Sequence, residues 1–260
     1  MDLELSGCCA LLTGGSRGIG LAAARVLAVE GADVALLART REPLERAALE
    51  LRAQSGQRVV SVVADTGEDE SVLAAVRSVV EQLGAVDILV NAAATPATGA
   101  PMREEDLEQE INVKVRGYLR CVRAVVPLMV DRGWGRIINV SGLAARQTGS
   151  ITGSIRNVAV AAMTKNLADE LGPKGINVTV VHPGMTITEG TPERFRAIAA
   201  AQGRDPNAIE AELASRVSIG RLVRAEEVAD VIAFLASPRS IALNGDAIVA
   251  SGGARGAIHY

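Results

Sequence analysis

Thr13-Gly14-Gly15-Ser16-Arg17-Gly18-Ile19-Gly20 follows a short apolar run, Cys8 to Leu12, and opens an alanine-rich helical pattern from Leu21 to Glu30. The order is strand, glycine turn, helix. Glycine is needed where a backbone turns sharply and comes close to a ligand, and a helix N-terminus presents unpaired N–H groups to an anion. Glycines so placed match the loop that holds a dinucleotide pyrophosphate, a weak signal alone and a strong one between these two elements. Gly14, Ser16, Arg17, Gly18, Ile19 and Gly20 are therefore candidate cofactor-binding residues.

Beyond this loop, apolar strand-like runs alternate with helical patterns to the end of the chain. The runs are Asp33 to Ala38, Val59 to Ala64, Ile88 to Val90, Ile137 to Val140, Val178 to Val181 and Ala247 to Val249. Continuous apolar runs are what a parallel sheet buried on both faces requires, with the helices as crossovers. The fold class predicted is α/β, a single doubly wound domain spanning 1–260. In such sheets ligands bind beyond the carboxyl ends of the strands. That rule directs attention to Arg39, Asp65 with Thr66, Asn91 with Ala92, Ser141, and Pro183-Gly184. Asp65 is suited to accept a hydrogen bond from an adenine amino group, or with Thr66 to cap the next helix. Asn91 leads into Ala92-Ala93-Ala94, small residues that let the backbone approach a ribose.

A carboxylate after the second strand would bind the ribose hydroxyls of NAD, whereas an arginine there accommodates the 2′-phosphate of NADP. Here the residue is Ala38, followed by Arg39, and Arg17 of the glycine loop serves the same region. Two guanidiniums without a competing carboxylate favour NADP(H) over NAD(H).

Composition excludes other classes. The 260 residues carry a net charge of −3 and only 2% aromatics, so neither a basic footprint nor a stacking platform for nucleic acid is available. No apolar run reaches the length of a membrane span, and Met1-Asp2-Leu3-Glu4 does not begin a secretory signal, so the expected location is cytoplasmic. Cys8, Cys9 and Cys121 form no framework and read as core, with no metal site.

Taken together, the glycine loop, Asp65, Asn91-Ala92-Ala93, Asn112, the strand Gly135 to Ser141, Pro183-Gly184 and the closing Asn244-Gly245 to Gly252-Gly253 resemble the short-chain dehydrogenase/reductase family. The resemblance covers essentially the whole chain. It implies a seven-stranded parallel sheet, a nicotinamide cofactor, a small-molecule substrate, and a homo-oligomer, tetramer or dimer, built through two long helices, here about 106–129 and 155–171. It also implies a substrate lid at about 185–218 and a Thr188 that hydrogen-bonds the nicotinamide carboxamide. The family's usual chemistry uses an Asn, Ser, Tyr, Lys set, because hydride delivery to a carbonyl leaves an alkoxide that must be protonated as it forms.

The chain departs from that set. Tyr-X-X-X-Lys falls on Gly153-Ser154-Ile155-Arg156-Asn157, and the family serine falls on Gly142 beside Ser141. Asn112 matches the family asparagine, although the segment after it is two residues longer than the commonest spacing. Substitutes for the missing acid are few. Tyr118 reads as core or interface, and His259-Tyr260 end the chain. His182 stands at a strand end near the nicotinamide, where a histidine serves as an acid near neutral pH. Arg156 supplies a positive charge in place of the lysine, or is a solvated charge. Gly153 in place of a phenol is expected to leave room for a bulkier group. The candidate catalytic residues are thus Asn112, Ser141, His182 and Arg156. The reading is an NADP(H)-dependent oxidoreductase with a non-standard site, acting on a small carbonyl, enone or alcohol. The alternatives are a non-redox enzyme using the same pocket and a cofactor-binding, non-catalytic sensor or silent subunit.

Overall fold

The computed structural model describes residues 1–95 and 103–255. The chain begins with β1 (Cys9–Thr13), α1 (Gly18–Val29), β2 (Asp33–Ala38), α2 (Arg41–Ser55), β3 (Val59–Val63), α3 (Asp69–Leu83) and β4 (Ile88–Asn91). It continues with α4 (Glu104–Glu110), a π-helical turn (Ile111–Arg116), α5 (Gly117–Arg132), β5 (Gly135–Val140), α6 (Ile151–Leu171) and β6 (Ile176–Pro183). Then come β7 (Thr186–Ile187), α7 (Thr191–Gln202), α8 (Pro206–Ser215), β8 (Val223–Arg224), α9 (Ala225–Ala236) and β9 (Ala247–Ala250).

Seven strands form one parallel sheet in the order β3-β2-β1-β4-β5-β6-β9, and β7 pairs with β8 apart from it. Because the chain runs outward from β1 to β3 and then returns to β4 on the other side, β1 and β4 diverge at their carboxyl ends into a crevice. The core lies on both faces of the sheet. On one, α1, α2 and α9 cover β1 and β2 through residues such as Leu27, Leu44 and Ile232. On the other, α3, α5 and the end of α6 cover β1, β4 and β5 through Val79, Val125 and Leu171. Each such side chain, removed from water, contributes about 1.5–3 kcal/mol. The doubly wound sheet read from the apolar runs is the sheet observed.

Two helix readings are corrected. The helix expected over 106–129 is interrupted: the N–H of Gly117 reaches back five residues to the Asn112 carbonyl, making the turn at 111–116 wider than an α-turn. Gly117 then packs where a Cβ would stand 2.9 Å from the Thr66 carbonyl oxygen, so the start of α5 is held against the loop after β3. The second long helix starts at Ile151 instead of Ile155, because Ser150 caps it, its Oγ accepting from the Gly153 N–H at 3.0 Å. Cys9 and Cys121 are buried and Cys8 partly so, and burial pushes the Cys9 and Cys121 thiols up to about 12. His259 and Tyr260 lie outside the described residues. Among the described residues no helix is long and apolar enough to cross a membrane.

Candidate active site

The crevice is a cleft of about 660 Å³ along the carboxyl ends of β1, β2, β4 and β5. Its first wall is the glycine loop. Gly14, with φ +68°, passes so close to β4 that a Cβ there would stand 2.9 Å from the Ala92 carbonyl oxygen. Thr13 fixes this approach, its Oγ1 accepting from the N–H groups of Ala92 and Ala93 at 3.0 and 3.1 Å. Gly18, with φ +59°, has open space where a Cβ would stand, the nearest atom being a Thr188 methyl at 3.8 Å. The start of α1 therefore faces the cleft with its N–H groups. The Glu189 carboxylate already lies against them, Oε1 accepting from the Gly18 N–H at 2.7 Å. An anion thus stands where a phosphate is expected, which is the physical test that the loop fits a pyrophosphate.

Gly14, Ser16, Arg17, Gly18, Ile19 and Gly20 all line the cleft, and so do Arg39, Thr66, Ala92, Ser141, Pro183 and Thr188. At the mouth, Arg46 of α2 joins Arg17 and Arg39; none of the three is in an ion pair among the described residues, and all three are exposed. Arg46 was not read from the sequence, since it reaches the mouth only because α2 folds back over the end of β2.

The remaining site candidates do not line the cleft. The Asp65 carboxylate is turned inward, Oδ1 accepting from the Gly67 N–H at 2.8 Å, an Asx-type turn and not a cap of α3. Asn91 is buried and donates to Asn139 Oδ1 at 3.0 Å, and Asn139 in turn donates to Thr164 Oγ1 at 3.0 Å, tying β4 to β5 and β5 to α6. Gly184 packs against Ser251, whose Cβ is 2.9 Å from a built Cβ. Asn112 donates to the Gly67 carbonyl at 3.3 Å, away from the inner end of the cleft. His182 is 1% exposed within β6, and strand alternation sends it to the face opposite Pro183, which does line the cleft. Arg156 is neither solvated nor in the cleft: it forms an ion pair with Glu110 at 2.8 Å, both side chains about nine-tenths buried.

The inner end of the cleft is formed by Val113, Lys114, Val140, Ser141 and Pro183. Lys114 is 4% exposed, and its Nζ donates to the Ser141 carbonyl at 2.8 Å. Burial pushes its ammonium down to about 7, with the Arg156 guanidinium adding to the effect and the Glu110 carboxylate opposing it. One turn on, the Tyr118 hydroxyl donates to the Val140 carbonyl at 2.9 Å, and burial pushes this phenol up. Sequence reading missed Lys114 although the signal was present: the two residues in excess after Asn112 disappear if the family position is taken two residues later, at 114.

Gly153 does not leave a space. It is buried, with Ser150 Oγ 2.9 Å and Ala144 Cβ 3.5 Å from a built Cβ, which overturns the expectation of extra room there. Asn157 is buried as well, its Nδ2 2.8 Å from where a Gly142 Cβ would stand, and its carbonyl accepts from Ser141 Oγ at 3.0 Å.

Residues 8–199 match the family described as short chain dehydrogenase. The chain belongs to this family. It is 34% identical over 247 residues to the short-chain reductase protein NovJ of Streptomyces niveus, covering 94% of this chain and 92% of that one. Among solved structures, the L-sorbose reductase of Gluconobacter frateurii, in complex with NADPH and L-sorbose, superposes with a TM-score of 0.93 at 32% identity, covering 99% and 100% of the two chains. A xylitol dehydrogenase bound to NAD+ superposes with a TM-score of 0.89 at 28% identity, covering 96% and 100%. The short-chain dehydrogenase fold follows for this chain.

Proposed function

We propose that this short-chain dehydrogenase is an NADP(H)-dependent oxidoreductase acting on a small carbonyl or enone, or the corresponding alcohol, through a non-standard active site. When bound, the reduced nicotinamide supplies a hydride to the electrophilic carbon. The start of α1 and the loop 14–20 would hold the pyrophosphate, Thr66 and Ala92 would flank the adenosine half, and Pro183 and Thr188 would border the nicotinamide. The observation that carries the cofactor choice is the cluster of Arg17, Arg39 and Arg46 at the mouth, with Ala38 where a ribose-binding carboxylate would stand. The similar structures hold NADPH in one case and NAD+ in the other, so the choice rests on these side chains. Calorimetry with NADPH and NADH is the test: binding of NADPH at least about tenfold tighter is expected, since charge-assisted hydrogen bonds contribute about 1.5–3 kcal/mol. Equal affinities would remove the preference, and Arg39→Asp should weaken NADPH while sparing NADH.

The absence of a phenol at 153 and of an ammonium at 157 favours a second reading, in which the chain binds the cofactor without turnover. NADPH consumption against a panel of ketones, enones and quinones separates the two. We take 185–218, with α7 and α8, as the substrate lid. The exposed apolar stripe Ile151, Ile155 and Val158 on α6, at 64%, 44% and 49% exposure, is read as the seat of a second copy of the chain. Ile155→Glu should then lower the mass seen in sedimentation.

A further inference from the structure

We propose that Lys114 is the proton donor and acceptor of the reaction, standing in for the phenol that this chain lacks. The inference rests on the oxidoreductase reading and deepens it.

Geometry carries the argument. An acid for an alkoxide must lie at the end of the cleft bordered by Pro183, and the groups that serve elsewhere are all spoken for. Gly153 is buried beneath Ser150 and Ala144. The Tyr118 hydroxyl is committed to the Val140 carbonyl within the core. His182 is 1% exposed and does not line the cleft. Among the described residues that line the cleft, the lysine, histidine and carboxylate side chains are Lys114 at the inner end and Glu189, which lies against the start of α1. The Lys114 ammonium has three protons, and the 2.8 Å hydrogen bond to the Ser141 carbonyl orients one of them and thereby the other two. The π-helical turn at 111–116 puts the residue there, a distortion that recurs at functional sites.

The charged and titratable groups around it come from every neighbouring element. Glu110 precedes it by one turn, Arg156 faces it from α6, Tyr118 follows by one turn, and His182 is the penultimate residue of β6, the strand next to β5. Glu110 and Arg156 neutralise one another, which leaves burial as the main influence on the amine and brings it to about 7. A lysine tuned this way is matched to proton transfer near neutral pH.

With a hydride added to the carbonyl carbon, the C=O π pair moves onto oxygen. An N–H bond of Lys114 breaks with its pair remaining on nitrogen, an O–H bond forms, and the neutral amine recovers a proton from solvent through the cleft. In alcohol oxidation the neutral amine accepts the proton. Reduction therefore requires the ammonium and falls as pH rises through 7, while oxidation rises.

The chain has three lysines, Lys114, Lys165 and Lys174, so labelling with ε-13C-lysine gives three resonances, and Lys114→Met assigns one of them. In the cofactor-free protein that resonance should titrate near 7. With a vicinal diketone and saturating NADPH, kcat for reduction should show the same inflection. Lys114→Met should lower kcat by about 10²- to 10⁴-fold and abolish the inflection, and Lys114→Arg, which keeps the charge and cannot release the proton, should do the same. NADPH fluorescence should report unchanged cofactor binding in both variants. A Lys114 resonance titrating above 9, an inflection that survives in Lys114→Met, or wild-type kcat in Lys114→Arg would each overturn the assignment. Absence of NADPH binding by the wild type would instead strike the oxidoreductase reading itself, and binding without turnover of any carbonyl in the panel would overturn both.

Discussion

Lys114 Nζ and the Ser141 carbonyl oxygen meet at 2.8 Å at the inner end of the cleft, joining the π-helical turn to the end of β5. The burial that lowers this ammonium has a consequence for stability. In the unfolded chain Lys114 binds a proton up to its ordinary value of 10.5, and in the folded chain only up to about 7. Between those values the unfolded state binds more protons, so this group makes stability rise with pH from 7 to 10.5, and below 7 it costs the full difference. At one pKa unit per 1.36 kcal/mol the ceiling of that cost is about 5 kcal/mol. Lys114→Met should therefore raise the urea midpoint at pH 6, and the gain should shrink toward pH 10. An equal effect at both pH values would mean that packing and not charge is responsible.

Glu110 and Arg156 form a 2.8 Å pair in which neither side chain is more than 12% exposed. Arg156 Nε finds no hydrogen bond among the described residues, so the pair is incompletely satisfied. Glu110→Gln leaves a buried guanidinium without its counter-charge and should cost about 3–5 kcal/mol in chemical denaturation. Replacing both, Glu110→Leu with Arg156→Met, should recover most of that loss, because desolvation of two ions is removed together with their attraction.

Glu189 occupies the place at the start of α1 where a phosphate is expected, accepting from the Gly18 N–H at 2.7 Å. Its carboxylate competes for the same donor and repels the incoming anion. A charge at a helix N-terminus is worth about 0.3–1 kcal/mol. Glu189→Gln should accordingly tighten NADPH binding by about two- to fivefold in fluorescence titration, with the gain reduced at high salt. Weaker binding in the variant would show that Glu189 assists the cofactor instead of opposing it.

The glycine loop was legible because its logic is local: strand, turn and helix are consecutive, and Gly14 and Gly18 take positive φ where the backbone needs it. Ala38 and Arg39 were legible for the same reason, as the last residue of a strand and the first one past it. What escaped depends on contacts between distant segments. Which residue of the segment after Glu110 reaches the cleft is set by a π-turn that residue type does not announce, so the sequence points to Asn112 while Lys114 lines the cleft. The sequence marks Arg156 as charged without showing that Glu110 meets it in the interior. Asn91 and Asp65 sit at strand ends where ligands bind, yet their side chains are spent on Asn139 and on the Gly67 N–H.

Restoring the family pattern by Gly153→Tyr with Asn157→Lys should not by itself create a reductase. A Cβ at 153 would stand 2.9 Å from Ser150 Oγ and 3.1 Å from Ser150 Cβ, and Ser150 is held in place as the cap of α6. A lysine at 157 would also replace a buried amide next to Gly142, with Ser141 between it and the ammonium of Lys114. The double variant is expected to melt at lower temperature and to show no tyrosine titrating below 9 by ultraviolet difference. Adding Ser150→Gly, which costs a cap only a few tenths of a kcal/mol, removes the collision. Adding Lys114→Asn removes the competing charge. The fourfold variant should show a new phenol titrating below 9, since the ammonium at 157 favours the phenolate. A phenol that titrates normally there would mean that position 153 does not face the cleft, and the search for the family's tyrosine position would move along α6.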